Sequence, residues 1–251
     1  MAKVGGLSPA AFRTAHTELG GIRLQFNGRH RWKGLAACSQ YDPAVGCMVH
    51  AGRPLACRLY PLGRERQAEA VRYLYQGKKF PCLEGCPSVV NLPRMTVAEY
   101  LEGQGIQAGE QAQDAYLEVV QDLAEGAFVL LLETGLSASG DRETLRRWRQ
   151  LGRSIPEVRA RAIPDDWLER LVLPGQDSQL EDPAAFVKAH HGRLQADAQA
   201  AFGALSSLEQ VRDACCLMFT LALHLAQSLG TETGALAALW IQTAKDNGAR
   251  E

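Results

Sequence analysis

Five of the seven cysteines in this 251-residue chain fall within the 49 residues from Cys38 to Cys86. Between Gly28 and Pro93 no helical or alternating apolar pattern is sustained, and glycines and prolines recur beside the cysteines. This composition is typical of loops with short strand or helix pieces. Such a stretch needs something other than an apolar core to hold it, so the thiol-rich segment most constrains what the chain can fold into.

The five cysteines are spaced Cys38-x8-Cys47-x9-Cys57-x24-Cys82-x3-Cys86. Thiolates brought together repel one another and are costly to desolvate, so they are stable together only where a cation or a cationic cluster compensates their charge. Metal binding would also supply folding free energy that this weakly patterned segment lacks. The alternative is a set of scattered buried thiols, because the spacing has no paired C-x2-C groups. We predict a metal site formed by these cysteines.

Composition excludes little beyond this segment. With 46% hydrophobic residues, 22% charged residues and a net charge of -1, the chain resembles an ordinary globular protein without an overall bias toward nucleic acid or membrane. The first dozen residues contain no apolar run of signal-peptide length, and no stretch reaches about 18 uninterrupted apolar residues. We therefore expect a cytoplasmic protein with reduced thiols, and neither nucleic acid nor membrane as a partner.

Helical patterns begin after the cysteines. Thr96 and Glu99 form a capping box that predicts a helix start. Apolar residues at three- and four-residue spacings predict an amphipathic helix from 110 to 124, and a longer apolar seam from Leu208 to Leu229 predicts another, packed against neighbouring helices. His190 and His191 have no metal-ligand partner at a spacing of four and are expected on a solvated helix face.

The predicted fold class is mainly α, with an irregular cysteine-rich metal-binding region followed by a helical, bundle-like portion. A Ser-Ala-Ser-Gly-Asp run at 137–141 marks a change to Arg- and Ala-rich helical sequence. We place a domain boundary there, with a cysteine-cluster domain at 1–139 and a helical region at 140–251.

The segment from Gly46 to Leu62, GCMVHAGRPLACRLYPL, resembles the pattern of the YkgJ-type cysteine-cluster family, a zinc- or iron-chelating domain related to flagellin lysine-N-methylase. The family's Cys, Arg-Pro, Cys-Arg-x-Tyr-Pro and Cys-Pro elements are matched in order at Cys47, Arg53-Pro54, 57–61 and Cys86-Pro87. Cys38 fits the family's cysteine just upstream. The resemblance covers about residues 35 to 125. Family members usually also carry a C-x2-C-C-type group ahead of a helix like that at 7–12, and this sequence has no counterpart of it.

This resemblance implies a metal centre with Cys38, Cys47, Cys57 and Cys86 as its main ligands and Cys82 as a substitute. Four thiolates suit both zinc and a [4Fe–4S] cluster, and the resemblance favours the iron–sulfur cluster, with zinc as the alternative.

Three further residues are candidates for the surroundings of the metal centre. Arg53 and Arg58 are expected either to donate to cluster sulfur and offset thiolate charge or to pair with backbone carbonyls. Tyr60 is expected to pack as a wall of the site.

Two functions from different classes follow. The first is an iron–sulfur protein that acts on a protein substrate, with lysine methylase-like activity implied by the resemblance alone. The second is a zinc-stabilised protein-interaction module without catalytic activity. The residues indicate no catalytic group, and no G-x-G-x-x-G or P-loop motif is present.

Overall fold

A computed structural model describes residues 1–2, 4–32, 34–67, 70–75, 93–172 and 182–251. The chain divides into two compact units, Met1–Glu110 and Gln111–Glu251. The division falls in the first turn of one long helix, Gln107–Leu132. The domain boundary predicted near residue 140 lies within the second unit, in the turns that follow this helix.

Short helices and two-stranded antiparallel hairpins make up the first unit. Its helices are α1 (Pro9–His16), α2 (Leu55–Leu59), α3 (Val97–Glu102) and the start of α4 (Gln107–Leu132). The strand pairs are β1 (Thr17–Glu18) with β2 (Arg23–Leu24), β3 (Arg31–Trp32) with β4 (Leu35–Ala36), β5 (Tyr41–Asp42) with β6 (Gly46–Cys47), and β7 (Leu62–Gln67) with β8 (Ala70–Tyr75).

Local sequence explains where these helices begin. Ser8 accepts a hydrogen bond from the amide of Ala11 at the start of α1, and Pro9 occupies the first turn, where its missing amide hydrogen costs nothing. The capping box at Thr96 and Glu99 is present at the start of α3, as the sequence predicts. Among the described residues of the first unit, the buried apolar side chains are Phe12, Val49, Leu59 and Ile106.

The second unit is helical in all its described elements. They are the rest of α4, α5 (Glu143–Arg153), α6 (Pro156–Arg161), α7 (Asp165–Val172), α8 (Pro183–Phe202), α9 (Leu208–Ser228) and α10 (Thr233–Asp246). Helix α9 is buried along most of its length, and α5 and α10 pack against each other and against it. The predicted mainly α fold class is confirmed.

Aromatic packing centres the core of this unit. The Trp148 and Phe219 rings stack with centroids 4.1 Å apart, and Trp240 meets Phe219 edge-on. Gly152 lets α10 approach α5 closely, because a Cβ atom there would lie 2.4 Å from the Ala237 Cβ. Burial of large apolar side chains contributes about 1.5–3 kcal/mol each, so this core is the main source of the unit's stability.

The apolar seam predicted along α9 is confirmed for Val211, Cys215 and Met218, which are all buried, but not for its first residue, Leu208, which is exposed. Burial raises the pKa of Cys215 well above its usual value and raises that of its neighbour Cys216 to about 12. Both thiols therefore stay protonated at neutral pH.

The prediction for His190 is wrong. Its side chain is buried, with Nδ1 2.8 Å from the Tyr116 hydroxyl and Nε2 2.8 Å from the Arg170 carbonyl oxygen. Both ring nitrogens thus have partners on other helices, which is how a buried polar ring avoids the cost of desolvation.

None of the described helices combines the length and the apolar character needed to cross a membrane.

His224 on α9 differs from His190, because its buried ring lacks hydrogen-bond partners among the described residues. It is only 1% exposed, and neither ring nitrogen has a hydrogen-bond partner among the described residues. Burial, together with the nearby Arg159 guanidinium, lowers the pKa of His224 to about 4. Arg159 itself donates to the carbonyl oxygens of Leu151 and Ser154 and to the side chain of Gln227. A neutral imidazole is therefore the only form that the folded second unit accommodates well.

We expect folding stability to fall with acidification because of His224. Below about pH 6.5 the unfolded chain takes up a proton at this position, whereas the folded chain does so only near pH 4. The free energy of unfolding should decline by about 3 kcal/mol across that interval from this residue. His224→Leu removes an unpartnered polar ring and should raise stability by about 1–2 kcal/mol at neutral pH.

Urea unfolding followed by tryptophan fluorescence measures both effects, since Trp148, Trp167 and Trp240 lie in the second unit. The gap between His224→Leu and the parent protein should widen as the pH falls, while His190, common to both chains, cancels from the difference. A constant gap at all pH values would contradict the expectation.

Candidate metal centre

A tight hairpin brings the first two cysteines toward each other. Strand β5 pairs with β6 so that Tyr41 lies opposite Cys47, and the Met48 amide donates to the Gln40 carbonyl oxygen at 3.0 Å. The turn between the strands is closed by Asp42, whose side chain accepts from the amides of Ala44 and Val45. Because Cys38 precedes the first strand by three residues and Cys47 ends the second, both lie at the open end of the hairpin.

The Cys38 sulfur accepts a hydrogen bond from the backbone amide of Gln40, with 3.5 Å between nitrogen and sulfur. The preceding chain fixes this segment, because the Ser39 amide donates to the Gln25 carbonyl oxygen and the Gly28 amide to that of Ala37. Any side chain at Gly28 would be excluded, since its Cβ would lie 2.7 Å from the Cys38 carbonyl oxygen. Amide hydrogen bonds to sulfur stabilise a thiolate and are one of the means by which proteins tune iron–sulfur clusters.

Helix α2 presents the third cysteine. Its first turn follows Pro54, and the Cys57 amide donates to the Pro54 carbonyl oxygen at 3.0 Å. Burial raises the pKa of Cys57, the charges of Cys38 and Cys47 raise it further, and Arg53 lowers it. The three thiols and the guanidinium therefore share one electrostatic environment, and each thiol is half-buried.

Arg53 combines a backbone and a side-chain contact. Its Nε donates to the His50 carbonyl oxygen at 3.2 Å, and one terminal nitrogen donates to the Gln104 side-chain oxygen at 3.3 Å. Because it also favours the charged form of Cys57, Arg53 is the cation that offsets thiolate charge among the described residues near that thiol.

Arg58 acts differently, since it donates hydrogen bonds to three backbone carbonyl oxygens. It donates to Ala51 at 3.0 Å, to Arg53 at 3.0 Å and to Gln104 at 2.8 Å. These bonds join the turn before α2, the backbone of Arg53 and the residues just after α3. The rigid fork of a guanidinium suits this bridging role better than an ammonium. Of the two roles expected for Arg58, the contacts are those of carbonyl pairing.

Tyr60 is held at the end of α2 through its backbone, whose carbonyl oxygen accepts a hydrogen bond from the Tyr100 hydroxyl. The peptide bond between Tyr60 and Pro61 is cis. Tyr100 and Gln104 hold the Arg-Pro and Cys-Arg-x-Tyr-Pro elements through hydrogen bonds, and the sequence pattern marks neither residue. Only their place on and just after the capped helix α3 is foreseeable.

The two remaining predicted ligands, Cys82 and Cys86, lie outside the described residues. Within the part of the chain that the structure describes, no three His, Cys, Asp or Glu side chains are arranged as a metal-binding group. The described thiols thus share a neighbourhood without forming a closed coordination shell.

No family model, curated protein or solved structure matches this chain. The resemblance to the YkgJ-type family accordingly rests on the quoted residues of the segment 46–62 and its flanking cysteines.

We expect Arg58→Lys to weaken the hydrogen-bond network around Cys57 while keeping the positive charge at position 58. A lysine cannot bridge three carbonyl oxygens in the geometry of the guanidinium, and each lost hydrogen bond costs about 1 kcal/mol. Backbone amide exchange in the peptides that contain 51–58 and 100–106 should accelerate by about tenfold or more, which hydrogen–deuterium exchange with mass spectrometry measures.

Arg94→Lys is the matched control, because Arg94 is exposed and lies outside this network. Its exchange rates should equal those of the parent protein. Unchanged protection in Arg58→Lys would show that the hydrogen bonds from Arg58 to the three carbonyl oxygens do not hold the backbone around Cys57.

Proposed function

We propose that this protein binds an iron–sulfur cluster through cysteine thiolates of its first unit, with Cys38, Cys47 and Cys57 as three ligands and Cys86, or Cys82 in its place, as the fourth. The observation that carries the proposal is that Cys38 and Cys47, at the open end of one hairpin, lie near enough to Cys57 on helix α2 for their charges to raise its pKa, while Arg53 lowers it. Thiols so placed repel each other once ionised, and a bound cation removes that repulsion.

The donor set fits such a group. Thiolate sulfur is the ligand that iron–sulfur clusters use, and the amide of Gln40 already donates to the Cys38 sulfur. Arg53 balances ligand charge, while Arg58 holds the turn and helix that carry Arg53 and Cys57. The cluster would supply either an electron-transfer centre or a rigid structural link.

Zinc is the alternative, because four thiolates also make a structural zinc site. In that case the first unit is a zinc-stabilised interaction module, and its helices contact a protein partner. The chemistry of the described thiols is common to both, so metal content decides between them.

We expect protein purified without oxygen and reconstituted with iron and sulfide to be brown and to hold about four iron and four sulfide per chain. Serine at Cys38, Cys47 or Cys57 should remove most of the bound iron, because each substitution deletes one ligand. The control is Cys216→Ser in the second unit, which should leave the metal content unchanged. Visible absorption together with iron, sulfide and zinc analysis measures these outcomes.

Serine at Cys86 should reduce the metal content more than serine at Cys82 if Cys86 is the fourth ligand. Colourless protein with about one zinc per chain, lost in the same serine variants, supports the interaction module instead. Protein that binds neither metal, or that keeps its metal when Cys57 is replaced, contradicts both forms of the proposal.

The resemblance to flagellin lysine-N-methylase adds a narrower proposal, namely that the chain acts on a protein substrate and uses S-adenosylmethionine. Calorimetry on the reconstituted protein tests it, and saturable heats with S-adenosylmethionine are the expected result. Absence of such heats at high ligand concentration removes the methylase version and leaves metal binding intact. A cluster of reduced thiols also favours a cytoplasmic location.

A further inference from the structure

A cavity of about 540 Å³ lies in the second unit, between α4 and α8. Its apolar wall is formed by Val119, Leu123, Leu130, Leu194, Phe202 and Met218. The volume falls within the range of roughly 300–1,000 Å³ that is typical of small-molecule sites. The cavity thus has the size and lining of a binding site for a compound rather than for a single ion.

Two of the polar residues that line the cavity, Asp122 and Glu125, carry carboxylates. Asp122 and Glu125 line it together with His191 and Gln195, and the described lining residues include neither lysine nor arginine. His191 Nε2 lies 2.7 Å from Asp122 Oδ2, and the Gln195 side-chain amide donates to that same oxygen at 2.9 Å. Glu125 accepts from the Gln121 side-chain amide at 2.9 Å.

These contacts leave the two carboxylates with capacity for a further donor. A carboxylate accepts about four hydrogen bonds through its two oxygens, and both contacts of Asp122 use Oδ2. Among the described residues neither carboxylate forms a salt bridge with an arginine or lysine: Glu125 accepts from the neutral Gln121 amide, and Asp122 is paired with His191 and the neutral Gln195 amide.

The larger cavity of the second unit differs in this respect. It measures about 730 Å³ and lies beside α5, α6 and α9. Its acidic residues, Glu143 and Asp213, are both paired with Arg147, at 3.3 Å and 3.0 Å. The charges of that cavity are thus compensated from within, and nothing in it favours a charged ligand.

We propose that the cavity between α4 and α8 binds a small organic cation, an amine attached to an apolar body. The apolar body would occupy the space against Leu123, Leu194 and Met218, and the ammonium group would donate to Asp122 and Glu125. This site is independent of the proposed metal centre, because every residue that lines it belongs to the second unit.

The probe is dansylcadaverine, which joins an apolar fluorophore to a primary ammonium, used with the full-length protein. Saturable binding with a blue-shifted dansyl emission is the expected result. N-pentyl dansylamide has the same body but ends in a methyl group, and it should bind about tenfold more weakly. The double variant Asp122→Asn, Glu125→Gln should weaken the amine by about the same factor and leave the neutral analogue unaffected.

Two further variants locate the site. Ala198→Phe places a ring into the cavity that Ala198 lines, and it should abolish the blue shift. Glu118→Gln removes an exposed carboxylate of the same helix that does not line the cavity, and it should bind the amine as the parent does. Circular dichroism spectra and melting temperatures identify the variants that retain the fold, and the comparison is made among those.

Equal affinity for the amine and the neutral analogue would overturn the proposal, because charge would then have no part in binding. So would an unchanged blue shift in folded Ala198→Phe, an effect of Glu118→Gln as large as that of the double variant, or the absence of saturable binding. Each of these outcomes leaves the metal centre untouched, since the metal content is measured separately.

Discussion

The guanidinium of Arg58 is the interaction on which the first unit depends most. Among its described residues few apolar side chains are buried, and the described strands other than β7 and β8 are two residues long, so hydrogen bonds such as those of Arg58 hold this part of the backbone. Arg58 bridges the carbonyl oxygens of residues as far apart in sequence as Ala51 and Gln104. It thereby fixes the position of α2, and with it the sulfur of Cys57.

The two units are stabilised by different physics. In the second unit a continuous set of buried apolar residues from α4 through α10 excludes water. The polar groups buried among them lose hydration, which is unfavourable unless they find partners or stay neutral. Arg159 meets that cost with hydrogen bonds to backbone carbonyls, whereas His224 meets it by remaining neutral. In the first unit, hydrogen bonds instead hold polar, cysteine-containing loops in place. A bound metal would add there what apolar burial supplies in the other unit.

Structural features that depend on residues close together in sequence could be predicted. The capping box at Thr96 and the apolar seam of α9 follow from side chains three or four residues apart, and both are present. Features that depend on contacts between residues distant in sequence could not be predicted. His190 is buried because Tyr116 and the Arg170 carbonyl satisfy its ring, and no local pattern announces either partner.

The same contrast holds at the candidate site. The Arg-Pro and Cys-Arg-x-Tyr-Pro elements could be identified from residue types, but the acceptors of Arg58 could not, because one lies on the far side of the β7–β8 hairpin in sequence. That hairpin has charged residues at several positions, such as Arg64, Glu65 and Arg72, and lacks the apolar alternation that predicts strands.

The two cysteines of α9 differ from thiols of the first unit in their reactivity at neutral pH. Because their pKa values are raised, to about 12 for Cys216 and well above normal for Cys215, a negligible fraction of either is thiolate at neutral pH, and thiolate is the form that alkylating reagents attack. The half-buried thiols of Cys38 and Cys47 lie in the other unit. Rapid alkylation of the folded chain would therefore report on cysteines of the first unit against a silent background, with Cys57, whose pKa is also raised by burial, reacting more slowly than an exposed thiol.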